Sequence, residues 1–226
     1  MTDLLGALAP DQPTGLGTAM AGGKGKLNLD KTARRDADYY PTPFDATRAF
    51  LLAEGEHIRR HALPVWECCG RGGAIAAVLA QFDFDVIATD IVEDPANAVA
   101  QLDVLRALKL LGVPLTNPPF ALAGRILDVL LGRLKAPYVA LLLKSTFFST
   151  DTDTRGQLGR YRAYGPPLKY DMTWRVDFTG GGQSTMNCSW FVWDRNRPEM
   201  MGRWCLLQRD GVVTPGTDLF TLGATL

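Results

Sequence analysis

Residues 65–73 read Val-Trp-Glu-Cys-Cys-Gly-Arg-Gly-Gly, and the next eight residues are mainly Ala, Ile, Val and Leu. The pattern predicts a short buried strand from Val65 to Cys69 and a helix from Gly73 to Gln81. A strand, a glycine turn and a helix bring backbone amides and a helix N-terminus towards one ligand. The sequence therefore predicts a nucleotide-type cofactor site at this turn.

The glycine turn alone leaves the ligand open, because similar turns bind NAD, FAD or S-adenosylmethionine, or have only a structural role. The dinucleotide fingerprint Gly-x-Gly-x-x-Gly is absent, since Ile75 stands at its third glycine position. The Gly-Lys-Ser or Gly-Lys-Thr of a phosphate loop is also absent. Asp90 closes the next predicted strand, where ribose hydroxyls would lie, and Glu67 fits a group that holds the amino end of a cofactor.

Strand-like and helix-like segments alternate along the chain, which predicts an α/β fold with a mostly parallel sheet and helices on both faces. Two later strand-like segments, joined through Gly180-Gly181-Gly182, predict a C-terminal antiparallel hairpin. The stretch from Asn97 to Lys109 is ambiguous between helix and strand. The predicted helices are Thr47–His61 and Leu122–Lys135, and the predicted strands are Asp85–Asp90, Val113–Thr116, Tyr138–Phe148, Asp171–Phe178 and Met186–Asp194.

Length and composition indicate one globular domain. The chain has 226 residues, of which 46% are hydrophobic, enough for one large core. Residues 1–36 are rich in Gly, Ala and Pro and predict a flexible arm, so the domain is expected to span 37–226. Within it, residues 149–183 are interpreted as a small substrate-recognition or target-recognition element. The formal net charge is zero, which argues against a generally basic nucleic-acid binder.

Four cysteines without metal or redox spacing favour a reducing, cytoplasmic environment. The segment Met1 to Lys26 resembles neither a signal peptide nor a membrane anchor, so no membrane partner is expected. His57 and His61 are four apart on a predicted helix, but Arg59 and Arg60 lie between them, and both histidines are interpreted as surface residues. No metal site is predicted.

The tetrapeptide Asn117-Pro118-Pro119-Phe120 closes an apolar run that ends at Thr116. An amine on an aromatic base is a poor nucleophile, because its lone pair is delocalised into the ring. An Asn side-chain oxygen and the carbonyl of the next residue can accept the two amino hydrogens and stabilise the positive charge that grows on nitrogen. The two prolines stiffen the turn, and Phe120 offers a face for stacking. The turn thus suits methyl transfer to an amine, although Asn-Pro-Pro also ends ordinary strands.

Taken in order, these motifs resemble those of the amino-group DNA methyltransferases, especially the small adenine-N6 enzymes of phages and prophages. The resemblance runs from about residue 38 to about residue 195. It rests on Tyr40-Pro41-Thr42-Pro43, the turn from Glu67 to Gly73, Asp90, Asp103, and the Asn-Pro-Pro-Phe turn. It implies a class I methyltransferase fold, which is Rossmann-like with a seven-stranded sheet.

The resemblance also implies site residues. Asn117, Pro118, Pro119 and Phe120 would hold the target amine and its base. The implied cofactor is S-adenosyl-L-methionine. The residues expected to bind it are Tyr40, Thr42, Pro43, Glu67, Cys69, Gly70, Gly72, Asp90, Ile91 and Asp103.

The expected partner is DNA. Between residues 150 and 209 there are nine Lys or Arg and six Asp or Glu, a local surplus of positive charge. Interleaved tyrosines make this stretch suitable for phosphate contacts and stacking, with a charged solvated loop as the alternative. The candidate DNA-binding residues are Arg155, Arg160, Arg162, Lys169 and Arg175.

Three functions remain open from the sequence. The first is methylation of adenine N6 in DNA. The second is a reaction of the same type on cytosine N4, on guanine N2 of RNA, or on a protein glutamine. The third is an inactive binding module with an S-adenosylmethionine fold. An intact Asn117 turn argues against the third.

Overall fold

The strands of this protein form one mixed sheet. The computed structural model describes residues 41–149, 156–178 and 186–216, and nine strands lie in these ranges. The strands are β1 (Val65–Glu67), β2 (Val86–Asp90), β3 (Ala100–Gln101), β4 (Val113–Thr116), β5 (Tyr138–Lys144), β6 (Leu168–Met172), β7 (Cys188–Asp194), β8 (Trp204–Leu207) and β9 (Val213–Pro215).

The strand order is β3-β2-β1-β4-β5-β7-β6-β8-β9. The strands from β1 to β6, together with β8, run in one direction, while β7 and β9 are antiparallel to their neighbours. The predicted mostly parallel α/β sheet is thus present, but the predicted number of seven strands is wrong for the described residues. The additional strands β8 and β9 extend the sheet beyond β6.

Helices connect most of the parallel strands. Helix α1 spans Phe44–Arg59 and precedes β1, and α2 spans Ala74–Gln81 and follows the glycine turn. Helix α3 (Ala123–Leu127) continues into a π-helical segment, Asp128–Arg133. Helix α4 spans Gln157–Tyr164 and lies between β5 and β6. Shorter 3-10 turns occur at Pro95–Asn97, Val104–Arg106 and Pro198–Met200.

Two hydrophobic clusters lie on opposite faces of the sheet, because side chains alternate along each strand. In β5, Tyr138, Ala140 and Leu142 face the cluster formed with α1 and α2. The intervening residues Val139 and Leu141 face the cluster formed with α3 and the π-helical segment. Helices therefore cover both faces, and burial on both sides explains why β5 reads as a continuous apolar run.

A buried ionic cluster joins α1 to the end of β7. Glu54 of α1 is fully buried and pairs with Arg197, which also pairs with Asp194 at 2.6 Å. His61 Nε2 lies 3.1 Å from Asp194 Oδ1, and the His61 side chain is only 3% exposed. The interpretation of His61 as a surface residue is therefore wrong. Its ring also packs against Tyr138, with the ring centroids 5.3 Å apart.

Several predicted segments have different limits in the structure. The predicted helix Leu122–Lys135 is divided into α3 and the π-helical segment, and the predicted strand Tyr138–Phe148 ends at Lys144. The ambiguous stretch after Asn97 contains the short strand β3 and a 3-10 turn. The hairpin forms between β6 and β7, with a further bridge between Val176 and Met186. Residues 1–36, the predicted arm, lie outside the described residues.

Candidate active site

The glycine turn and the Asn117 turn lie side by side at one edge of the sheet. Strand β1 pairs in parallel with β2 on one side and with β4 on the other, so the carboxyl ends of all three strands meet at this edge. Glu67 ends β1, Asp90 ends β2, and Asn117 follows β4. The connections leave β1 and β4 towards opposite faces of the sheet, and such a reversal opens a crevice in α/β proteins. The fold therefore brings together the two motifs that the sequence singled out.

Backbone hydrogen bonds close the glycine turn and join it to β2. The amide of Gly70 donates to the Thr89 carbonyl, and the amide of Gly73 donates to the Gly70 carbonyl, both at 2.9 Å. Gly72 and Gly73 have φ angles of 75° and 62°, in the left-handed region that disfavours side chains. Helix α2 begins directly after this turn, so the two glycines fix the direction in which the helix leaves the strand.

Acidic side chains surround this turn. Asp90 Oδ2 accepts from the Arg71 amide at 3.3 Å, and Asp94 Oδ2 accepts from the Gly72 amide at 3.0 Å. The turn amides are thus satisfied by the protein, and nearby carboxylates would repel a phosphate. This arrangement does not fit the pyrophosphate of NAD or FAD. It does fit S-adenosylmethionine, which has a sulfonium, an ammonium and ribose hydroxyls, but no phosphate.

Glu67 provides a buried carboxyl group at the base of the crevice. It is 3% exposed, and its Oε2 accepts a hydrogen bond from the Ala76 amide at 2.8 Å. Burial raises the pKa of Glu67 to about 8. A bound cation would stabilise the charged form of this group and lower the pKa again. The side chain therefore suits a ligand with a positively charged amino group.

Asp90 and Ile91 lie at the end of β2, next to the glycine turn. Besides the Arg71 amide, Asp90 accepts from the amide of Val92 at 3.1 Å, which fixes the carboxylate at the end of β2. Ile91 is 49% exposed, and its backbone carbonyl accepts a hydrogen bond from Gln101 Nε2. An anchored carboxylate beside an exposed apolar side chain suits a ribose and a purine ring.

The Asn117 side chain is oriented by Thr42. Asn117 Nδ2 donates a hydrogen bond to Thr42 Oγ1 at 3.0 Å. Among the described residues, no group donates a hydrogen bond to Asn117 Oδ1 or to the Pro118 carbonyl. The Pro119 carbonyl, in contrast, accepts from the Leu122 amide at 2.8 Å. The two oxygens proposed from the sequence to accept an amine are therefore those without a protein donor.

Lys144 is a candidate site residue that the sequence reasoning missed. It is exposed at the end of β5, and its Nζ lies 5.4 Å from the centre of the Phe120 ring. Phe120 itself is partly buried and packs against both hydrophobic clusters. The signal available in the sequence was a lysine that ends an apolar strand, and this strand pairs with β4. Its charge places a cation beside the surface on which a base would stack.

The other predicted cofactor residues have varied surroundings. Asp103 caps a 3-10 turn, since its Oδ1 accepts from the Leu105 amide at 2.9 Å. Hydrogen bonding to the Cys68 thiol, together with burial, raises the pKa of Cys69 well above its usual value, so this thiol is not an activated nucleophile. Pro43 immediately precedes α1. Tyr40 lies outside the described residues.

The predicted DNA-binding residues differ in accessibility. Arg162 and Arg175 are exposed. Arg160 is paired with Asp128 through two hydrogen bonds, at 3.0 Å and 2.7 Å, and its side chain is 16% exposed. Lys169 pairs with Asp171 at 3.0 Å. Arg155 lies outside the described residues. Of the predicted residues, Arg162 and Arg175 are therefore accessible, whereas Arg160 and Lys169 already have carboxylate partners.

Within the described ranges, no group of three or more His, Cys, Asp and Glu side chains is placed to hold a metal ion. The helices in the same ranges are too short or too polar to span a membrane.

Comparison with solved structures identifies the fold. The methyltransferase subunit of a type I restriction-modification system from Streptococcus thermophilus aligns with a TM-score of 0.51 and 9% identity, over 75% of this chain and 47% of that one. The protein has a methyltransferase-type fold. A modification subunit described as part of a type I restriction enzyme from Vibrio vulnificus aligns with a TM-score of 0.47 and 12% identity, over 79% of this chain and 48% of that one.

The chain therefore spans about half the length of these two subunits. At the level of sequence, no family model matches the chain, and no curated protein is significantly similar to it.

Proposed function

We propose that this protein methylates the exocyclic amino group of a base in DNA, with S-adenosylmethionine as the methyl donor and adenine N6 as the acceptor. The observation that carries the proposal is the hydrogen bonding of the Asn117 turn. Its amide nitrogen is held by Thr42, while Asn117 Oδ1 and the Pro118 carbonyl have no donor among the described residues. Two acceptors that lack a donor among the described residues, next to the acidic glycine turn, match the needs of amine methylation.

When bound, S-adenosylmethionine supplies an electrophilic methyl group attached to a sulfonium. Asn117 Oδ1 and the Pro118 carbonyl accept the two amino hydrogens of the base, so that its nitrogen lone pair becomes available for attack. S-adenosylmethionine, held by Glu67 and Asp90, would supply the methyl group, and the electron pair of its carbon–sulfur bond would stay with its sulfur. The surplus proton on nitrogen passes to water. The same oxygens stabilise the positive charge on nitrogen during the transfer.

Several groups support the choice of cofactor. The buried Glu67 carboxyl suits the amino group, Asp90 suits the ribose hydroxyls, and the exposed Ile91 suits the adenine ring. Gly70 packs closely against Glu67 at the end of β1. A Cβ on Gly70 would lie 3.3 Å from Glu67, so a larger residue would push against the carboxyl group. Pro43, Cys69 and Asp103 are further proposed cofactor contacts, together with Tyr40, which lies outside the described residues.

DNA is proposed as the partner on three grounds. The sequence motifs resemble those of DNA methyltransferases, and the aligned Streptococcus thermophilus subunit belongs to a restriction-modification system. Arg162, Arg175 and Lys144 are accessible cations in the described residues. A base must leave its stack to reach a recessed acceptor pair, and Phe120, with Lys144 beside it, offers a surface that can receive the base.

The test is methyl transfer from labelled S-adenosylmethionine to unmethylated DNA, followed by digestion to nucleosides. Label in N6-methyl-2′-deoxyadenosine supports the proposal. Label in N4-methylcytosine corrects the acceptor base, and label only in parallel RNA or protein samples excludes DNA as the substrate. Transfer to no substrate, together with retained cofactor binding, would indicate the inactive binding module.

The role of Asn117 is tested by Asn117→Ala. Loss of the Oδ1 acceptor should lower the transfer rate by ~100-fold or more, while calorimetry should show a cofactor affinity close to wild type. Asn196→Ala is the matched control, because Asn196 is exposed at the opposite edge of the sheet. Wild-type rates in Asn117→Ala would remove this residue from the mechanism.

A further inference from the structure

Thr42 and Asn117 are 75 positions apart in sequence, yet their side chains are in direct contact. Thr42 is 7% exposed and lies two positions before α1, next to Pro43. Its hydroxyl oxygen accepts the hydrogen bond from Asn117 Nδ2 at 3.0 Å. The contact therefore links the segment before α1 to the end of β4.

The orientation of the Asn117 amide determines what it can do. An asparagine side chain has an acceptor oxygen on one side and a donor NH2 group on the other. If the amide rotated by half a turn, it would present a donor to an incoming amine, which itself donates two hydrogens. In the structure Nδ2 is engaged by the Thr42 hydroxyl, so Oδ1 is the atom of the amide that is left to face the base.

Thr42 is well suited to be that partner. A β-branched residue has few χ1 rotamers, and Thr42 stands between Pro41 and Pro43, whose φ angles are fixed by their rings. Helix α1 then packs through Ala46, Ala49 and Phe50 into the hydrophobic cluster. The hydroxyl is thus held in place by backbone and core before any substrate arrives.

We propose that Thr42 is a positioning residue, which sets the Asn117 amide so that its oxygen faces the target amine. The inference rests on the proposed function and changes one expectation from the sequence, in which Thr42 contacts the cofactor. On this assignment, the Thr42 hydroxyl contributes to the rate of transfer through Asn117. Its contribution to cofactor affinity is small.

The test compares Thr42→Val, which keeps the shape but removes the hydroxyl, with Thr42→Ser, which keeps the hydroxyl. Thr42→Val should reduce the single-turnover rate by ~10- to 100-fold, because a misaligned catalytic group loses much of its effect. Thr42→Ser should recover most of the rate. The dissociation constant for S-adenosylmethionine, measured by calorimetry, should change less than threefold in both variants, a bound of about 0.6 kcal/mol.

A second readout does not depend on activity. In a ¹⁵N-labelled sample, the side-chain NH2 resonance of Asn117, assigned by its disappearance in Asn117→Asp, should shift in Thr42→Val and return towards its wild-type position in Thr42→Ser. Unchanged resonances would show that the contact is absent in solution and would overturn the inference. A wild-type rate in Thr42→Val, or a loss confined to cofactor affinity, would also overturn it.

These results distinguish the two proposals. If the wild-type protein transfers no methyl group to any substrate, the proposed function fails, and the Asn117 resonance alone decides whether Thr42 orients the amide. If the wild type is active and Thr42→Val is equally active, only the positioning role fails.

Discussion

Arg160 and Asp128 form a two-contact ion pair that fastens α4 to the π-helical segment after α3. Tyr164, one turn further along α4, donates a third hydrogen bond to Asp128 at 3.1 Å. Glycines permit this close approach. A Cβ on Gly124 would lie 2.6 Å from the Arg160 guanidinium, and one on Gly132 would lie 2.8 Å from the Tyr164 hydroxyl. The pair thus gives Arg160 a structural role at a position that the sequence assigned to DNA.

The first prediction concerns this pair. Arg160→Gln should destabilise the protein by about 1–2 kcal/mol, because a bidentate, charge-assisted contact is lost at a partly exposed site. Arg162→Gln, two positions away on the exposed side of α4, should change stability by less than about 0.5 kcal/mol. Thermal denaturation compares the two variants. Equal melting temperatures would show that the Arg160 contact contributes nothing to stability.

The second prediction concerns Lys144. Lys144→Gln should weaken DNA binding and reduce the slope of log affinity against log salt by about one, as expected for one lost phosphate contact. Lys109→Gln is the control, since Lys109 is exposed and precedes β4, away from the carboxyl end of the strand. Fluorescence anisotropy with a labelled duplex at several salt concentrations measures both. A slope unaffected by Lys144→Gln would place the DNA elsewhere.

The third prediction concerns the buried ionic cluster. Glu54→Gln should destabilise the protein by roughly 3–5 kcal/mol, because it leaves the buried Arg197 with an incomplete set of partners. Glu56→Gln removes an exposed pair with Arg59 on the same helix, and should cost less than about 0.5 kcal/mol. Urea denaturation gives both free energies. A small effect of Glu54→Gln would mean that the cluster relaxes or admits water.

The fourth prediction concerns pH. Burial raises the pKa of Glu67 from 4.5 to about 8, so the folded protein holds this proton more tightly than the unfolded chain. The contribution of Glu67 to stability is therefore complete below about pH 4.5 and is lost as pH rises towards 8, by at most about 1.4 kcal/mol per pH unit. Glu67→Gln removes this titration. Its stability relative to wild type should rise between pH 5 and about 8 and then level off.

The measurement is urea denaturation of both proteins at intervals across this pH range. Parallel stability curves would show that Glu67 has an ordinary pKa in the folded protein.

The fifth prediction compares two glycine substitutions that should change stability in opposite directions. Gly73→Ala should destabilise the protein by roughly 1–2 kcal/mol, since Gly73 has a φ of 62° and a Cβ there would lie 3.1 Å from Asn97. Gly55→Ala should stabilise it by about 0.5–1 kcal/mol. Gly55 lies within α1, and a Cβ there would make ordinary contacts with Arg59 and Phe84. The same sign for both substitutions in thermal denaturation would contradict the assigned backbone conformations.

Local patterns predicted the centre of the fold well. Strand β4 was predicted at the residues where it occurs, because its apolar run is bounded by Gly112 and by the Asn117 turn. The glycine turn was predicted together with its flanking strand and helix, because the run of glycines clearly separates the two apolar segments. The short strands β8 and β9 were missed, since only Cys205 and Leu207 in them are buried. The alternation of buried and exposed residues in these two strands is therefore too weak to distinguish them from a loop.

The remaining errors concern contacts between distant residues. His61 is buried because it meets Asp194, 133 positions later, and nothing near His61 in sequence indicates this. The Thr42 contact with Asn117 and the Arg160 contact with Asp128 are likewise properties of the fold. The motifs therefore identified the elements of the candidate site, whereas the partner of each side chain required the structure.

The seven-residue ladder between β5 and β7 has a consequence for local opening of the protein. Its positions pair from Tyr138 with Asp194 to Lys144 with Cys188, and nearly all are buried on both faces. We expect amide protons in this ladder to exchange with solvent deuterium only when the whole domain unfolds, whereas the Asn117 amide should exchange through smaller fluctuations. Local fluctuation of the Asn117 turn is thus expected to leave this central pair of strands closed.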